Sequence, residues 1–375
     1  MFVELHMIQN FAPANLNRDD TNNPKDCEFG GVRRARISSQ CIKRAIRESD
    51  VFEQITQVEP AVRTKWVVRL LCERLGVDDA SEADVRAVVE AVVPALLSKL
   101  DRDGQRTAVL LYLSASEIDS IASDIEANWQ ALLDEKTRAA AIKDLTKAWS
   151  KAHKGTTSAP DIALFGRMLA EYPQLNLEAA CQVAHAISTH RTTMEMDFYT
   201  AVDDLNPEDT VGAGMMGFTG FDSACFYRYA RIDWKQLVKN LGDVALARRT
   251  VEGFLRAAVA ALPTGKQNSF AAHNPPSLSL AVVREDGMGW SLANAFERPV
   301  SPRRDEGFVA PSAQALDAYW ERLTQTYGSA TLIRTAALAI DPDLPLQSLA
   351  SARVADLNAW VAAVLDALPG EEAMG

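Results

Sequence analysis

The sequence is short of every feature that marks a secreted, membrane-spanning or disulfide-stapled protein. Its cysteines, Cys27, Cys41, Cys72, Cys181 and Cys225, are odd in number and form no CxxC pair, which argues against a disulfide framework and a zinc knuckle. They read as small, reduced side chains. No apolar run approaches the ~20 residues that a bilayer span needs, and Met1-Phe2-Val3-Glu4 lacks the basic start of a signal peptide. The expectation is a soluble, cytoplasmic protein with no membrane partner. Walker A and GxSxG loops are missing, and His185 and His190 stand five apart, off the one-face spacing of HExxH. No catalytic residue, metal or cofactor is expected. Basic charge is also in deficit: 39 Lys and Arg against 50 Asp and Glu give a net charge of -11 over 375 residues. Such a balance argues against coating nucleic acid over the whole surface, but not against a local groove.

Locally the sign reverses. Residues 33 to 47 carry Arg33, Arg34, Arg36, Lys43, Arg44 and Arg47 and no acid, whereas residues 341 to 372 carry six acids against Arg353. Gly30 and Gly31 suit a tight turn, Val32 to Ile37 alternates like a strand, and Ser38 or Ser39 supplies a helix N-cap. Cys41, Ile42, Ala45 and Ile46 then share one helix face, with Lys43 and Arg47 projecting from another. Helix N–H groups, serine hydroxyls and cations together make a site suited to phosphate. A solvated charged helix beside a turn is the competing reading of these residues alone.

At this length two substructures are the expectation. Residues 2 to 9 read as a strand. From about 56 to 180 the pattern is helical: Val62, Trp66, Val67, Leu70 and Leu71 recur at helix spacing before Gly76, and Ser81-Glu82-Ala83-Asp84 resembles a capping box, with Pro94 as a kink. Further helices are predicted near 116–133, 134–154, 234–241, 246–262, from Pro311-Ser312, and over 346–368. Strands are predicted over 224–232 and 277–283. A helical block inside a strand–helix–strand scaffold is an α+β layout. Neither an internal repeat nor a true RNP motif is present, and Phe226-Tyr227-Arg228-Tyr229 is expected to pack in a sheet.

Gly212-Ala213-Gly214-Met215-Met216-Gly217 spells GxGxxG, but an acidic turn precedes it and no helix follows, so a dinucleotide site is not expected. Lys143, Lys147 and Lys151 fall four apart, with Lys136 and Lys154 nearby, which read alone is a solvated helix face. Asp19 and Asp20 are expected to pair with Arg18 rather than bind metal.

The string from Asn17-Arg18-Asp19-Asp20 through Phe29-Gly30-Gly31 to Arg33-Arg34-Ala35-Arg36-Ile37-Ser38-Ser39-Gln40 and Lys43-Arg44-Ala45 resembles the N-terminal signature of the CasC family. These are the backbone subunits of type I-E CRISPR Cascade. The resemblance continues in order through Asp161–Met168, Ala184–His190, Phe198–Leu205, Phe226–Ala230 and Ala293–Glu297. It implies an RRM-like (ferredoxin-like) palm with a helical fingers insertion and a thumb. On this sequence that gives palm at 1–55, 182–191 and 223–375, fingers at 56–181 and thumb at 192–222. It also implies a non-catalytic subunit that grips CRISPR guide RNA and presents its bases to target DNA. Its partners would be further copies of itself, about six in a helical filament, other Cascade subunits and a recruited helicase-nuclease. The matching positions assign the guide backbone to Asn17, Arg18, Lys25, Arg34, Ser38, Ser39, Gln40, Lys43, Arg44 and Arg47, with Gly166, Arg167 and Met168 of the fingers contributing. Met215, Met216 and Phe218 become a wedge between bases, and Lys136, Lys143, Lys147 and Lys151 a track for DNA. A type III-like RNA-cleaving subunit using Asp19 or Asp20, and a protein-bridging scaffold without RNA, are the alternatives.

Overall fold

The structure, a computed structural model, describes residues 1–76, 81–169, 172–201 and 215–370. The chain divides into two compact units. One holds Met1–Phe52, Gln182–Ile232 and Val251–Gly375, the other Glu53–Cys181 and Asp233–Thr250.

In chain order the strands are β1 (Phe2–Ala14), β2 (Asp26–Phe29), β3 (Val32–Ile37), β4 (Val62–Thr64), β5 (Leu111–Leu113), β6 (Cys181–Val183), β7 (Ala186–Ser188), β8 (Glu195–Ala201), β9 (Met215–Asp233), β10 (Leu278–Arg284) and β11 (Leu332–Ala339). The main sheet runs β11-β10-β1-β9-β7-β3-β2, with β6 and β8 also paired to β9. The pairs β1–β10, β10–β11, β3–β7 and β7–β9 are antiparallel. Together with its covering helices this is the mixed α+β class expected.

Strand β1 is buried along nearly its whole length because both of its faces are covered. Ile8 joins Leu278, Leu280 and Val282 under Ala313, Leu316 and Trp320 of the Val309–Tyr327 helix. Leu5 and Met7, of opposite parity, meet Ile42, Ile46, Phe254 and Ala258. Two-sided burial replaces the alternation of a half-exposed strand by a continuous apolar run. Glu4 and His6 also lie inside. Glu4 accepts from Tyr229 Oη (2.9 Å) and the Trp290 N–H (2.8 Å) and faces Arg284 at 3.4 Å. His6 Nδ1 lies 2.9 Å from Tyr227 Oη, which accepts the Leu292 N–H, and burial pulls the imidazole down to about 3. These polar groups pin the 290–297 segment to the sheet.

The second unit is a helical cluster. Val68, Leu71, Val89, Val93, Ile118, Ile121, Ile125, Leu145 and Trp149 share its core, supplied by helices Val67–Arg74, Glu82–Leu96, Ala115–Ala127 and Arg138–Ala152. Each fully buried Leu or Ile contributes about 1.5–3 kcal/mol by leaving water. Ser81 caps the second helix as expected, accepting the Asp84 N–H, and Ser114 with Glu117 forms a full capping box on the third.

Two expectations change, and one strand was not predicted. Residues 62–64 are not the start of a helix but strand β4, paired with β5. The C-terminal helix is Leu357–Leu365 rather than 346–368, with a single 3-10 turn at Ala350–Ala352 before it. Strand β11 carries no sequence signal strong enough to predict it, and exists because β10 offers it a paired edge.

Candidate nucleic-acid interface

Phe29 pairs with Val32 across Gly30 and Gly31, which both have positive φ (62° and 73°), the conformation of a two-residue hairpin turn. A Cβ on Gly30 would stand 1.8 Å from the Glu297 carbonyl oxygen, so only glycine fits. Beyond β3, Ser38 caps the Ser39–Arg47 helix by accepting the Cys41 N–H at 3.4 Å, and no acid occupies the first turn. Asn17 sets the approach of the preceding loop. Its Oδ1 accepts the Ser38 N–H (2.8 Å), its carbonyl accepts the Lys25 N–H (2.9 Å), and the Lys25 carbonyl accepts the Arg36 N–H (2.9 Å). Asn17, Lys25, Ser38, Ser39 and Gln40 are thereby brought to one region of the sheet-bearing unit, followed by half-buried Lys43 and exposed Arg44.

Of the two histidines set aside as metal ligands, one belongs here and one does not. His185 Nδ1 accepts from the Ser39 N–H (3.3 Å) and from Arg36 (3.2 Å). That geometry requires a lone pair on Nδ1, and burial, then Arg36 and Lys25, lower the imidazole's affinity for a proton. His185 is thus a neutral acceptor at the helix start. His190 is buried, accepts the Cys225 N–H at 3.1 Å and stacks on Phe308 at 3.6 Å, so it packs. Among the described residues no group of His, Cys, Asp and Glu could hold a metal ion.

The arginines separate into two kinds. Arg34 is fully buried, and donates to the carbonyls of Phe29 (3.1 Å), Ser188 (3.2 Å), Phe296 (2.7 Å) and Glu297 (3.2 Å). Its guanidinium is occupied by the protein's own backbone, which corrects its assignment as a guide ligand. Arg47 is also buried and pairs with Glu48 at 2.7 Å. It follows Ile46 by only about 100° of helix rotation, which places it on the shoulder of the apolar face rather than opposite it. Arg44 is exposed and pairs with Glu48 at 2.8 Å, an exchangeable surface pair.

Arg18 donates to Asn22 Oδ1 at 2.8 Å instead of pairing with Asp19 or Asp20. Asp19 Oδ1 accepts the Thr21 hydroxyl (2.7 Å) and the N–H groups of Thr21 (2.9 Å) and Asn23 (3.0 Å). The Thr21 hydroxyl foremost holds this carboxyl below its usual range. Asp19 therefore organises the loop. The cleft beside it, about 680 Å³, is lined by Asp19, Asp20, Glu48 and Asp50 against Arg18 and Arg44, a balance that does not favour a polyanion.

Where the resemblance implies a thumb, two antiparallel strands stand side by side. Strand β8 pairs with the outer half of β9, from Glu195↔Phe221 to Ala201↔Met215. Met215, Met216 and Phe218 are 59, 67 and 67% exposed. The facing strand adds Met196, Phe198 and Tyr199, also exposed, and Phe198 meets Phe218 at 5.2 Å. Tyr199 lies over Gly217, where a Cβ would come within 2.4 Å of its ring. Phe198 and Tyr199 stood in the sequence beside the alternation of 195–198 and could have been found there. At the foot of this strand pair Asp222 is half-buried, and burial with the nearby charge of Asp26 pushes its carboxyl up to about 7. Gly212, Gly214 and Thr210 lie outside the described residues.

The remaining expected residues belong to the helical unit. Gly166 ends the Pro160–Phe165 helix at φ 76°, with the Leu177 carbonyl 2.9 Å from where a Cβ would stand. The turn sends Arg167 inward, onto both Glu117 oxygens (2.7 and 2.8 Å) and the Tyr112 and Leu175 carbonyls, and leaves Met168 87% exposed. Arg167 is accordingly a core ion pair and Met168 the surface residue. Lys143, Lys147 and Lys151 lie exposed on the Arg138–Ala152 helix opposite Leu145 and Trp149, with Lys136 in the turn before it.

The family described as CT1975-like protein, a Cas family, matches residues 3–363. No curated protein matches the chain. Among solved structures, a chain of a "CRISPR RNA-guided surveillance complex, pre-nicking" is 33% identical, with a TM-score of 0.85 over 98% of this chain and 100% of that one. A chain of a second "CRISPR RNA-guided surveillance complex" is 27% identical, with a TM-score of 0.75 over the same shares. No helix among the described residues is long and apolar enough to cross a membrane. The match over nearly its whole length places this chain in the CT1975-like family of Cas proteins.

Proposed function

We propose that this chain is a non-catalytic backbone subunit of a type I-E CRISPR surveillance complex, binding guide RNA along its phosphates and presenting its bases to target DNA. The observation that carries the reading is full-length likeness to chains of CRISPR RNA-guided surveillance complexes, 98% of this chain at TM-score 0.85. The loop and helix from Asn17 to Arg44 support it with cations, hydroxyls and a helix start free of acid. Base pairing would supply sequence specificity, as in other RNA-guided systems. Further copies of the chain, other Cascade subunits and a helicase-nuclease are its proposed partners. Asp19, turned onto its own loop, favours this reading over RNA cleavage.

The natively purified protein should carry RNA, and that RNA and any paired target should stay intact with or without magnesium. Binding should be indifferent to base sequence, and Lys43→Ala or Arg44→Ala should each flatten the plot of log K against log salt by about 0.7. Protein free of RNA at full occupancy of its own partners would favour a scaffold. Metal-dependent cuts abolished by Asp20→Ala would favour the cleaving subunit.

The exposed lysine helix serves DNA in this reading. Changing Lys143, Lys147 and Lys151 together to Ala should leave assembly on RNA unchanged and flatten the salt slope for double-stranded target by about 2.7, at 0.9 per phosphate. Failure to assemble would place the stripe at a guide or subunit contact instead.

A further inference from the structure

Six of the seven tryptophans are more than nine-tenths buried; Trp66 alone is exposed, at 36%. It stands in the helical unit, where β4 gives way to the Val67–Arg74 helix, and its N–H is held by Thr64 Oγ1 at 2.9 Å. The Thr107 N–H donates to the Lys65 carbonyl (2.9 Å) and Lys65 Nζ to the Ala108 carbonyl (3.1 Å). These bonds draw Arg106 to the indole. The Arg106 guanidinium lies 4.5 Å and that of Arg69 5.7 Å from the Trp66 ring, and Arg63 stands 4.4 Å from the ring of Tyr112. All four cations are exposed, and of them Arg69 is paired, with Glu73 at 3.3 Å.

An indole left in water among guanidiniums is matched to a ligand that is both flat and anionic. A guanidinium resting on a ring is attracted by the ring's quadrupole and is held in one plane, while its N–H edges stay open to phosphate oxygens. Bases stack on tryptophan with little regard to sequence, and a cationic track beside the ring follows the backbone. We propose that Arg63, Lys65, Trp66, Arg69 and Arg106 form a binding site for a single-stranded polynucleotide, with one base stacked on Trp66 and the flanking phosphates held by the arginines. The site extends the nucleic-acid reading above to a surface that shares no residue with the guide cluster or the lysine helix.

The test uses the natively purified, RNA-loaded protein with oligo(dT) and oligo(U) of equal length as probes. Added oligonucleotide should quench tryptophan fluorescence, and Trp66→Phe should abolish the quench while keeping most of the affinity. Trp66→Ala should weaken binding about tenfold, and Arg63→Ala with Arg106→Ala should flatten the salt slope by about 1.4. Capture of oligo(dT) alone would identify a DNA strand as the ligand, and equal capture of both a site that grips any single strand; each supports the proposal. Unchanged affinity and slope in Trp66→Ala protein that carries its RNA normally would overturn it. So would Trp66→Ala protein that no longer associates with its own copies yet binds both probes as before, because the surface around Trp66 would then be a protein interface. Wild-type protein without any RNA would sink the guide-binding reading and leave the oligonucleotide result to stand or fall separately.

Discussion

Arg34→Ala should destabilise the sheet-bearing unit by about 3–5 kcal/mol, read as a fall in the denaturation midpoint with little change in slope. The buried guanidinium satisfies four carbonyls from three separate stretches of chain. Removing it leaves those acceptors inside the protein without donors and opens a cavity among them. Each stranded acceptor costs about 1–3 kcal/mol, partly recovered by water entering the void. Arg34→Lys should recover only part of the loss, since one ammonium cannot span the fork that reaches Phe29, Ser188 and Phe296 at once. The hairpin turn at Gly30 rests against Glu297, so RNA affinity should fall together with stability. A variant as stable as the wild type but defective in RNA binding would return Arg34 to the role of a phosphate ligand.

Phe198→Ala together with Phe218→Ala should remove the wedge without unfolding the protein. Both side chains are more than half exposed and meet chiefly each other, so their loss should cost the fold under about 1 kcal/mol beyond ordinary surface variation. Their loss to the proposed guide contact is larger, because a stacked base is worth about 1–3 kcal/mol. Two such rings lost would weaken guide retention by about tenfold or more per subunit. A whole-segment deletion is a poorer experiment, because the outer half of β9 is the pairing partner of β8 and removing it would strand that edge. Chemical probing of guide bases decides the matter: regular base displacement that persists in the double variant would show that the strand pair is only surface.

Much of the local structure was legible. The Trp234–Leu241 helix appears at the predicted residues, with Asp233 capping it and Gly242 closing it in the left-handed conformation. Ser38 caps the basic helix as expected. These signals act within a few residues, through side-chain to backbone bonds and apolar spacing. Strands β4 and β11 were not legible, because their partners, β5 and β10, lie about fifty residues away. In β8 the alternation of residues 195–198 was legible, but its register with β9, which sets Phe198 against Phe218, was not.

By itself the sequence determined where helices start and stop, which residues suit a core, and that basic charge concentrates between residues 33 and 47 of an acidic chain. Tertiary structure alone decided which of those cations face outward. Arg34 finds its acceptors 154 and 262 residues away, and Arg167 finds its carboxylate 50 residues away, so neither burial could be read from neighbouring letters. A guanidinium stays in water or enters the protein according to whether distant backbone and carboxylate oxygens converge to replace its hydration. That convergence is a property of the folded chain and not of any one segment of it.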